Sequence, residues 1–464
     1  MAPQGVSGGG GGGGVDKDGI DERSAKHLLD SIGKKVHDEV EKDAKTYEGE
    51  LKGELQEAAS TIPELVEFSD TCKLVQEYYN HPNGGDAGGG KGERYPCKKL
   101  SGEMGVNRFS DKIGGQCTNE KMRSDGKGAC APFRRLHLCD HNLEKMGTTK
   151  IDNTHKLLLE VCMAAKYEGN SIETYYTPYQ RTNEDSASQL CTVLARSFAD
   201  IGDIVRGRDL FHGNPQEKEK RDELEKNLKT IFEKIHSGLT TTKTKTKKSA
   251  KDHYKDENDP NFFKLREDWW TANRHTVWEA LTCDVKSGNN YFRPTCSDSG
   301  DGKGQYQANN KCTCNNGDVP TYFDYVPQFL RWFEEWAEDF CRLRKRKLED
   351  AKEQCRPVKN GEHKYCDLNR YDCTKTASGE KKFVEDDVCK GCQYSCAHFV
   401  KWIDNQKLEF LKQKQKYKKE MEKYTKEITR GGGRKKRGAG SSGDSSNYDG
   451  YENKFYNKLK KKKK

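Results

Sequence analysis

Several short patterns in the chain have the residue types and spacing of chemical sites. Gly85-Asp-Ala-Gly-Gly-Gly90-Lys91 fits the first seven positions of a phosphate-binding loop, in which backbone N–H groups cradle an anion. Gly92 replaces the hydroxyl residue and no apolar strand precedes the motif, so the segment reads as a flexible loop. Cys389-x-x-Cys392-x-x-x-Cys396 and Cys312-Thr-Cys314 place thiols close enough to share a tetrahedral metal. Without a second matching pair among so many other cysteines, disulfides are the favoured assignment. Cys139-Asp-His141 could set a nucleophile beside a base, but a thiol in an oxidised chain is normally bridged. Glu334, Glu335, Glu338 and Asp339 could support acid/base work. They open a segment whose later turns carry Arg342, Arg344, Lys345, Arg346 and Lys347, the order that a helix dipole favours by itself. The stripe Phe329, Trp332, Phe333, Trp336 and Phe340 likewise reads as core. No catalytic constellation, metal site or cofactor site emerges, and the chain reads as a non-enzyme.

The elements that would position these residues are mostly helical. After a glycine-rich lead, Leu28, Ile32, Val36, Val40, Ala44, Tyr47, Leu51 and Leu55 recur every three or four positions, predicting one amphipathic helix. Its polar face is acidic, and its Gly33, Gly49 and Gly53 each cost up to about 1 kcal/mol relative to Ala. It therefore needs a partner surface, and the basic residues 91–135 are the nearest in sequence. From His81 to Cys139 the chain is rich in Gly, Pro and Cys and predicts irregular structure pinned by disulfides. Helices are predicted over Thr154–Glu168, stopped by Gly169, and over Ser186–Arg206, Gln216–His236 and Phe262–Thr282. Four such stripes argue for a bundle. Residues 240–252 are a polar, low-complexity loop and residues 284–320 an irregular connection. Two long helices, Val326 to about Gln354 and Cys396 to about Ile428, close the last unit, stapled by cysteines between Cys341 and Cys396. Beyond Arg430 the composition is that of a linker ending in lysines.

The 464 residues are long enough for about three domain-sized units, yet only 32% are apolar. No run of about 18 apolar residues offers a membrane-spanning helix, and the N-terminus lacks the basic and apolar regions of an ordinary secretory signal. The eighteen cysteines exceed what a reducing compartment usually tolerates and favour an extracellular location. No asparagine begins an N-x-Ser/Thr sequon, which is unusual for such a chain. Net charge is +9, but residues 401–464 hold 21 Lys+Arg against 8 Asp+Glu, so residues 1–400 sum to −4. Residues 1–70 carry 8 basic and 16 acidic groups, residues 91–135 carry 11 and 5. Local sign therefore guides the choice of partner.

That second segment supplies Lys91, Arg94, Lys98, Lys99, Arg108, Lys112, Lys121, Arg123, Lys127, Arg134 and Arg135. Folded back by a disulfide such as Cys117 to Cys130, these groups could converge on sulfates or carboxylates through charge-assisted hydrogen bonds. The alternative is that several of them neutralise the acidic N-terminal helix, and both can hold at once. Nucleic acid fits less well, since the thiol content places the chain outside the cell.

Ala195-Arg-Ser-Phe-Ala-Asp-Ile-Gly-Asp-Ile204, continuing to Phe211, and Pro327-Gln-Phe-Leu-Arg-Trp-Phe-Glu-Glu-Trp336 resemble the two signature blocks of Duffy-binding-like alpha domains. These belong to the var-encoded erythrocyte membrane protein one family of the malaria parasite Plasmodium falciparum. Pro132-Phe-Arg-Arg-Leu-His-Leu-Cys139, Cys283-Asp and Cys389-Lys-Gly-Cys-Gln-Tyr-Ser-Cys396 extend the similarity, and the acidic helix before Cys72 resembles the family's N-terminal segment. The resemblance implies a mainly α, disulfide-rich Duffy-binding-like fold of three subdomains behind an amphipathic N-terminal helix. The expected units are an N-terminal segment (1–71), an irregular basic subdomain (72–150), a helical bundle (151–300), a two-helix disulfide-stapled subdomain (301–430), and a linker with basic tail (431–464). Disulfides are expected among Cys97, Cys117, Cys130, Cys139, Cys162, Cys191, Cys283, Cys296, Cys312, Cys314, Cys341, Cys355, Cys366, Cys373, Cys389, Cys392 and Cys396. The resemblance further implies an adhesin head on the infected red cell, anchored by a downstream region. It would bind heparan-sulfate-like or blood-group glycans, or a receptor protein such as complement receptor, in rosetting.

Overall fold

The computed structural model describes residues 20–60, 62–81, 94–98, 108–110, 114–183, 188–242, 248–297, 305–359, 361–371, 387–426 and 450–462. Its long helices are α1 (Ala25–Ala44), α2 (Thr71–Asn80), α3 (Thr154–Thr182), α4 (Leu190–Val205), α5 (Pro215–Gly238), α6 (Phe263–Leu281), α7 (Gln328–Cys355), α8 (Asp387–Lys426) and α9 (Gly450–Lys461). Among the described residues, strands are confined to one hairpin, β1 (Val358–Lys359) antiparallel to β2 (Glu362–His363). The fold is mainly α, as the apolar stripes imply.

Local chemistry sets the helix starts. Ser24, Asp70 and Asn153 each accept a backbone N–H three residues on, satisfying donors that the first turn leaves free. Asn214 and Glu217 form a reciprocal capping box ahead of α5, with Pro215 at its first position. The core lies where α3, α4, α6 and α7 meet. Trp269, Trp270 and Trp278 of α6, Trp332 of α7 and Phe198 of α4 are all enclosed there, and truncating such a ring to Ala costs about 3–5 kcal/mol. Phe198 meets the faces or edges of Trp270 and Trp278 at 5.0 and 5.2 Å. All sixteen residues of α4 are buried, its charged ones included.

Three helix expectations are corrected. The amphipathic helix from Leu28 to Leu55 ends at Ala44, and one-turn helices at Glu48–Leu51 and Leu55–Ala58 follow. The chain bends there because Gly53 is pressed between neighbours: its N–H donates to Asn273 Oδ1 at 2.7 Å, and a Cβ would lie 2.8 Å from Leu158. Gly169 does not stop α3, which continues to Thr182. It is the point where α3 crosses the end of α6, and a Cβ there would lie 1.8 Å from the Leu281 carbonyl oxygen. The lysine-rich C-terminus is more than a tail, since α9 buries Tyr451, Phe455, Tyr456 and Leu459. That helix, rather than residues 91–135, gives the acidic α1 its basic neighbour. Lys458 pairs with Glu39, Lys454 with Asp43 at 3.5 Å and Lys462 with Glu22 at 3.8 Å, while the apolar face of α1 packs on α6, α7 and α9.

Among the described residues, seven disulfides lock these elements: Cys72–Cys283, Cys97–Cys139, Cys117–Cys130, Cys191–Cys312, Cys296–Cys314, Cys355–Cys392 and Cys366–Cys389. Cys72, left out of the expected set, closes the longest loop, and in a chain-entropy account long loops restrict the unfolded chain most. Cys162, Cys341 and Cys396, expected to be bridged, are unpaired, and Cys373 lies outside the described residues.

The crossing at Gly169 makes a sharp prediction. Gly169→Ala should lower unfolding free energy by about 1–3 kcal/mol, because the methyl group can enter only by separating two helices. Gly49→Ala, where nothing lies within 4 Å of the new atom, should be neutral or slightly stabilising. Urea unfolding of both variants measures the difference; equal effects would refute the close-crossing account.

Candidate functional site: a cationic seam

The cationic segment divides according to where its partners lie. Arg94, Arg108, Arg134 and Arg135 are only 2%, 0%, 3% and 1% exposed, so none can meet a ligand at the surface. Arg94 pairs with Glu160, and Arg108 makes a two-pronged contact with Glu168 at 2.6 and 2.8 Å. Arg134 holds Asp200 at 2.7 Å and Glu335 at 3.0 Å, and Arg135 holds Asp209 at 2.5 Å. Burial opposes the Asp200 charge, but Arg134 and Arg331 outweigh it and hold that carboxyl down to about 2. These four arginines build the interior, which corrects their assignment to a glycan surface. Lys91, Lys99 and Lys112 lie outside the described residues.

Lys98 is exposed beside the Cys97–Cys139 bridge, while Lys121, Arg123 and Lys127 lie together on one loop closed by Cys117–Cys130. Gln116 bridges Ala131 across the loop base, and single 3-10 turns at Asn119–Lys121 and Ser124–Gly126 shape its tip. Asn119 Oδ1 accepts the Gly128 N–H at 2.9 Å. One flank is tied to the connection between α4 and α5: the Arg123 N–H donates to Leu210 O at 2.9 Å and the His212 N–H to Lys121 O at 2.8 Å. The other flank lies on α8. Lys416 Nζ donates to Asp125 O at 2.5 Å, and Gly128, at φ +87°, would bring a Cβ to 3.2 Å from Lys412 O. Only a residue without a side chain fits that approach readily.

The loop therefore delivers Lys127 against α8, where Lys412, Lys416, Lys419 and Lys423 recur at i, i+4, i+7 and i+11 along one edge. Lys412 and Lys419 are exposed; Lys416 sits beneath them, ion-paired with Glu420 at 2.9 Å and 5.0 Å from the Phe329 ring. Lys414 and Lys418 occupy the other edge of the helix. Between Lys401 and Lys426 nine lysines face four carboxylates. These lysines fall within the helix predicted from Cys396 to about Ile428, and their spacing of three and four is the signal from which a common edge can be read. The seam can hold a linear anion by many weak contacts.

The other chemical candidates resolve into structure. Cys139, Cys312, Cys314, Cys389 and Cys392 are all bridged, and a disulfide sulfur is neither nucleophile nor thiolate ligand. The phosphate-loop pattern lies outside the described residues. Phe329 and Trp332 are core, while Phe333, Trp336 and Phe340 stack on Phe410 and Trp402 of α8. A cavity of about 60 Å³ is lined by Arg108, Arg196, Arg342, Glu335, Glu338 and Asp339 among others, far below the ~300 Å³ that ligand pockets need. Its charges answer one another. Burial disfavours the Glu338 carboxylate, yet Arg196 and Lys26 bring it down to about 2, whereas burial pushes Asp339 up to about 6 against the pull of Arg342.

The chain matches three family models: the N-terminal segments of PfEMP1 over residues 24–59, the Duffy binding domain over 128–331, and the C-terminal subdomain of the Duffy-binding-like domain over 335–464. Among solved structures it is similar to the NTS-DBL1(alpha-1) domain of PfEMP1 from the varO strain of Plasmodium falciparum. The two are 35% identical with a TM-score of 0.70, over 95% of this chain and 84% of the other. An ICAM-1-binding DBLbeta domain of PfEMP1 shares the fold at 24% identity and TM-score 0.64, over 94% of this chain and 85% of the other. The Duffy receptor beta form of Plasmodium knowlesi is 22% identical over 68% of this chain and 22% of that protein. The Duffy receptor of Plasmodium vivax is also 22% identical, over 61% and 20%. The chain thus spans about a fifth of the length of these curated relatives.

Sorting cations into interior and seam predicts opposite costs. Arg134→Ala should destabilise the fold by about 3–5 kcal/mol, because it removes a buried countercharge shared by Asp200 and Glu335 and leaves Asp200 with Arg331 as its ion partner. Lys127→Ala should stay within about 0.5 kcal/mol. Chemical denaturation followed by circular dichroism would show both; comparable losses would contradict the division.

Proposed function

The chain belongs to the Duffy-binding-like family of PfEMP1, and we propose that it is an adhesin head whose cationic seam captures sulfated glycan on uninfected erythrocytes. It acts as a binding module and not as an enzyme, displayed on the outer face of the infected red cell and active in rosetting. The division at residues 72, 151, 301 and 431 belongs to the same reading, amended so that α9 joins the folded body. The observation that carries it is the meeting of the Cys117–Cys130 loop with the lysine edge of α8. Two distant parts of the chain, each bearing exposed lysines, touch there through Gly128 and Asp125 on the loop and Lys412 and Lys416 on the helix.

The mechanism is electrostatic and multivalent. Each exposed lysine near a dense anionic surface contributes about 1 kcal/mol, and salt screens it over about 8–10 Å. One head therefore binds modestly, and many heads on one surface multiply the contacts. Sulfates suit such a site because their charge is fixed and their oxygens accept from any ammonium group that reaches them.

A second reading rests on a different observation. The outer face of α8 exposes Val400, Leu408 and Leu411, an apolar surface on which a protein receptor could be gripped. The DBLbeta neighbour is described as ICAM-1-binding, and blood-group antigen or complement receptor are further partners for this chain. Binding through that face would be indifferent to heparin and weakly affected by salt.

Replacing Lys127, Lys412 and Lys419 together by Ala should remove about 3 kcal/mol, or about a hundredfold in heparin affinity at physiological salt. Replacing Lys414 and Lys418, on the other edge of the same helix, should change it less than threefold. The test uses the intact domain, because deleting the C-terminus would remove α9 from the core. Equal losses in the two variants would mean that net charge, and no particular seam, controls retention. Unchanged erythrocyte binding alongside lost heparin binding would favour the protein-receptor reading.

A further inference from the structure

Helix α8 begins with three cysteines on one face, Cys389, Cys392 and Cys396 at i, i+3 and i+7. The first is bonded to Cys366 and the second to Cys355 at the end of α7. The third is unpaired and partly exposed, and its Sγ stands 3.4 Å from Cys355 Sγ. All three sulfurs of Cys355, Cys392 and Cys396 lie within 4.8 Å of one another. Cys355 therefore faces two alternative partners one helical turn apart.

We propose that Cys355, Cys392 and Cys396 form a thiol–disulfide exchange centre, in which the third subdomain alternates between two cross-links. The Cys396 thiolate attacks Cys355 Sγ. The Cys355–Cys396 bond forms as the Cys355–Cys392 bond breaks, and the electron pair leaves on Cys392 Sγ, which takes up the proton that Cys396 released. The step is an isomerisation: one disulfide and one thiol stand on each side, and no oxidant or reductant is consumed. The exchange asks little of the backbone: Cys396 Sγ already stands 3.4 Å from Cys355 Sγ, so about 1.4 Å of approach reaches disulfide length, and side-chain rotation can supply it with α7 and the β1–β2 hairpin in place.

The other thiols contrast with this arrangement. Cys162 is enclosed, its Sγ points to the Thr276 carbonyl, and burial pushes its thiol well above the ordinary range. It has neither access nor a thiolate. Cys341 is exposed on α7, outside the three-sulfur cluster. Cys396 combines partial access with a disulfide sulfur already at van der Waals distance. Its neighbours Cys366 and Cys389 keep the start of α8 tethered to the same region whichever partner Cys355 takes.

The test is disulfide mapping with thiol trapping. The folded domain is held at pH 8 with a trace of reduced glutathione, then unfolded in guanidinium at pH 6.5 with excess N-ethylmaleimide. Trypsin releases residues 353–359, carrying Cys355, and residues 391–401, carrying both Cys392 and Cys396. Fragmentation of the linked pair shows which of the two cysteines holds the label. Label on both, with Cys392 taking at least a tenth, is the expected result. Cys392→Ser should still fold and carry a Cys355–Cys396 bond, and Cys396→Ser should give a single cross-link and no label in that peptide. Label confined to Cys396 after hours at pH 8 would overturn the proposal, as would a folded Cys392→Ser domain with Cys355 reduced.

Discussion

The architecture depends on one constraint: α4 is enclosed on every side and nevertheless carries Arg196, Asp200 and Asp203. Taking an ion out of water costs several kcal/mol even after relaxation, and the cost is met only by well-placed countercharges. Apart from Arg206 at the end of the same helix, those countercharges come from distant parts of the chain. Asp200 is held by Arg134 and Arg331, Asp203 by Arg331 and Arg206, and Arg196 by Glu334 and Glu338. Tyr451 of α9 adds its hydroxyl to Asp203 at 3.2 Å. Each long-range pairing fixes a whole element against α4. The irregular segment through Arg134, the long helix α7 and the C-terminal helix are thereby positioned by the same few side chains. The two blocks that carry the family resemblance are these charges and the helices that bear them, so they mark the scaffold and not the ligand.

This explains which parts were legible in the sequence. Helices α5 and α6 follow apolar stripes closely, since burial of one face leaves a 3.6-residue period that needs no knowledge of the partner. Gly169 misled because a glycine that permits a helix crossing and a glycine that ends a helix are the same residue type. Only the position of Leu281, far along the chain, separates them. α9 was hidden by its lysines, although Tyr451, Phe455 and Leu459 keep a period of four. The buried arginines were the largest misreading, and for the same reason: a cation's destination is set by a carboxylate such as Asp200, which lies 66 residues from Arg134.

Residue type nevertheless sorts these cations. Arg123 on the loop apart, the described arginines of residues 91–135 occupy the interior and the described lysines the surface. A guanidinium is weakly hydrated and offers donors in a fixed fork that matches a carboxylate, while an ammonium is strongly hydrated and tolerates burial poorly. Lys416 shows the boundary. Its stem lies over Phe329 and its charge reaches Asp125 O and Glu420, so it works as a bolt between loop and helix. Lys127, Lys412 and Lys419 are exposed, with Lys412 ion-paired to Glu409 of its own helix at 2.9 Å.

Holding those charges in place bears directly on adhesion. A basic loop free in solution would have to be ordered on binding, at about 0.5–1.5 kcal/mol for each long side chain besides its backbone. Here the loop is already closed by Cys117–Cys130, tied to the α4–α5 connection on one flank and to α8 on the other. The backbone entropy is lost during folding, under an oxidised cross-link, and not at the moment of contact. What remains mobile is the outer part of a few lysine stems, which suits a partner whose sulfates vary in position. If sulfated glycan is the partner, as proposed, a rigid frame with flexible charged tips would give modest affinity per head, broad tolerance of glycan sequence and strong dependence on how many heads act together.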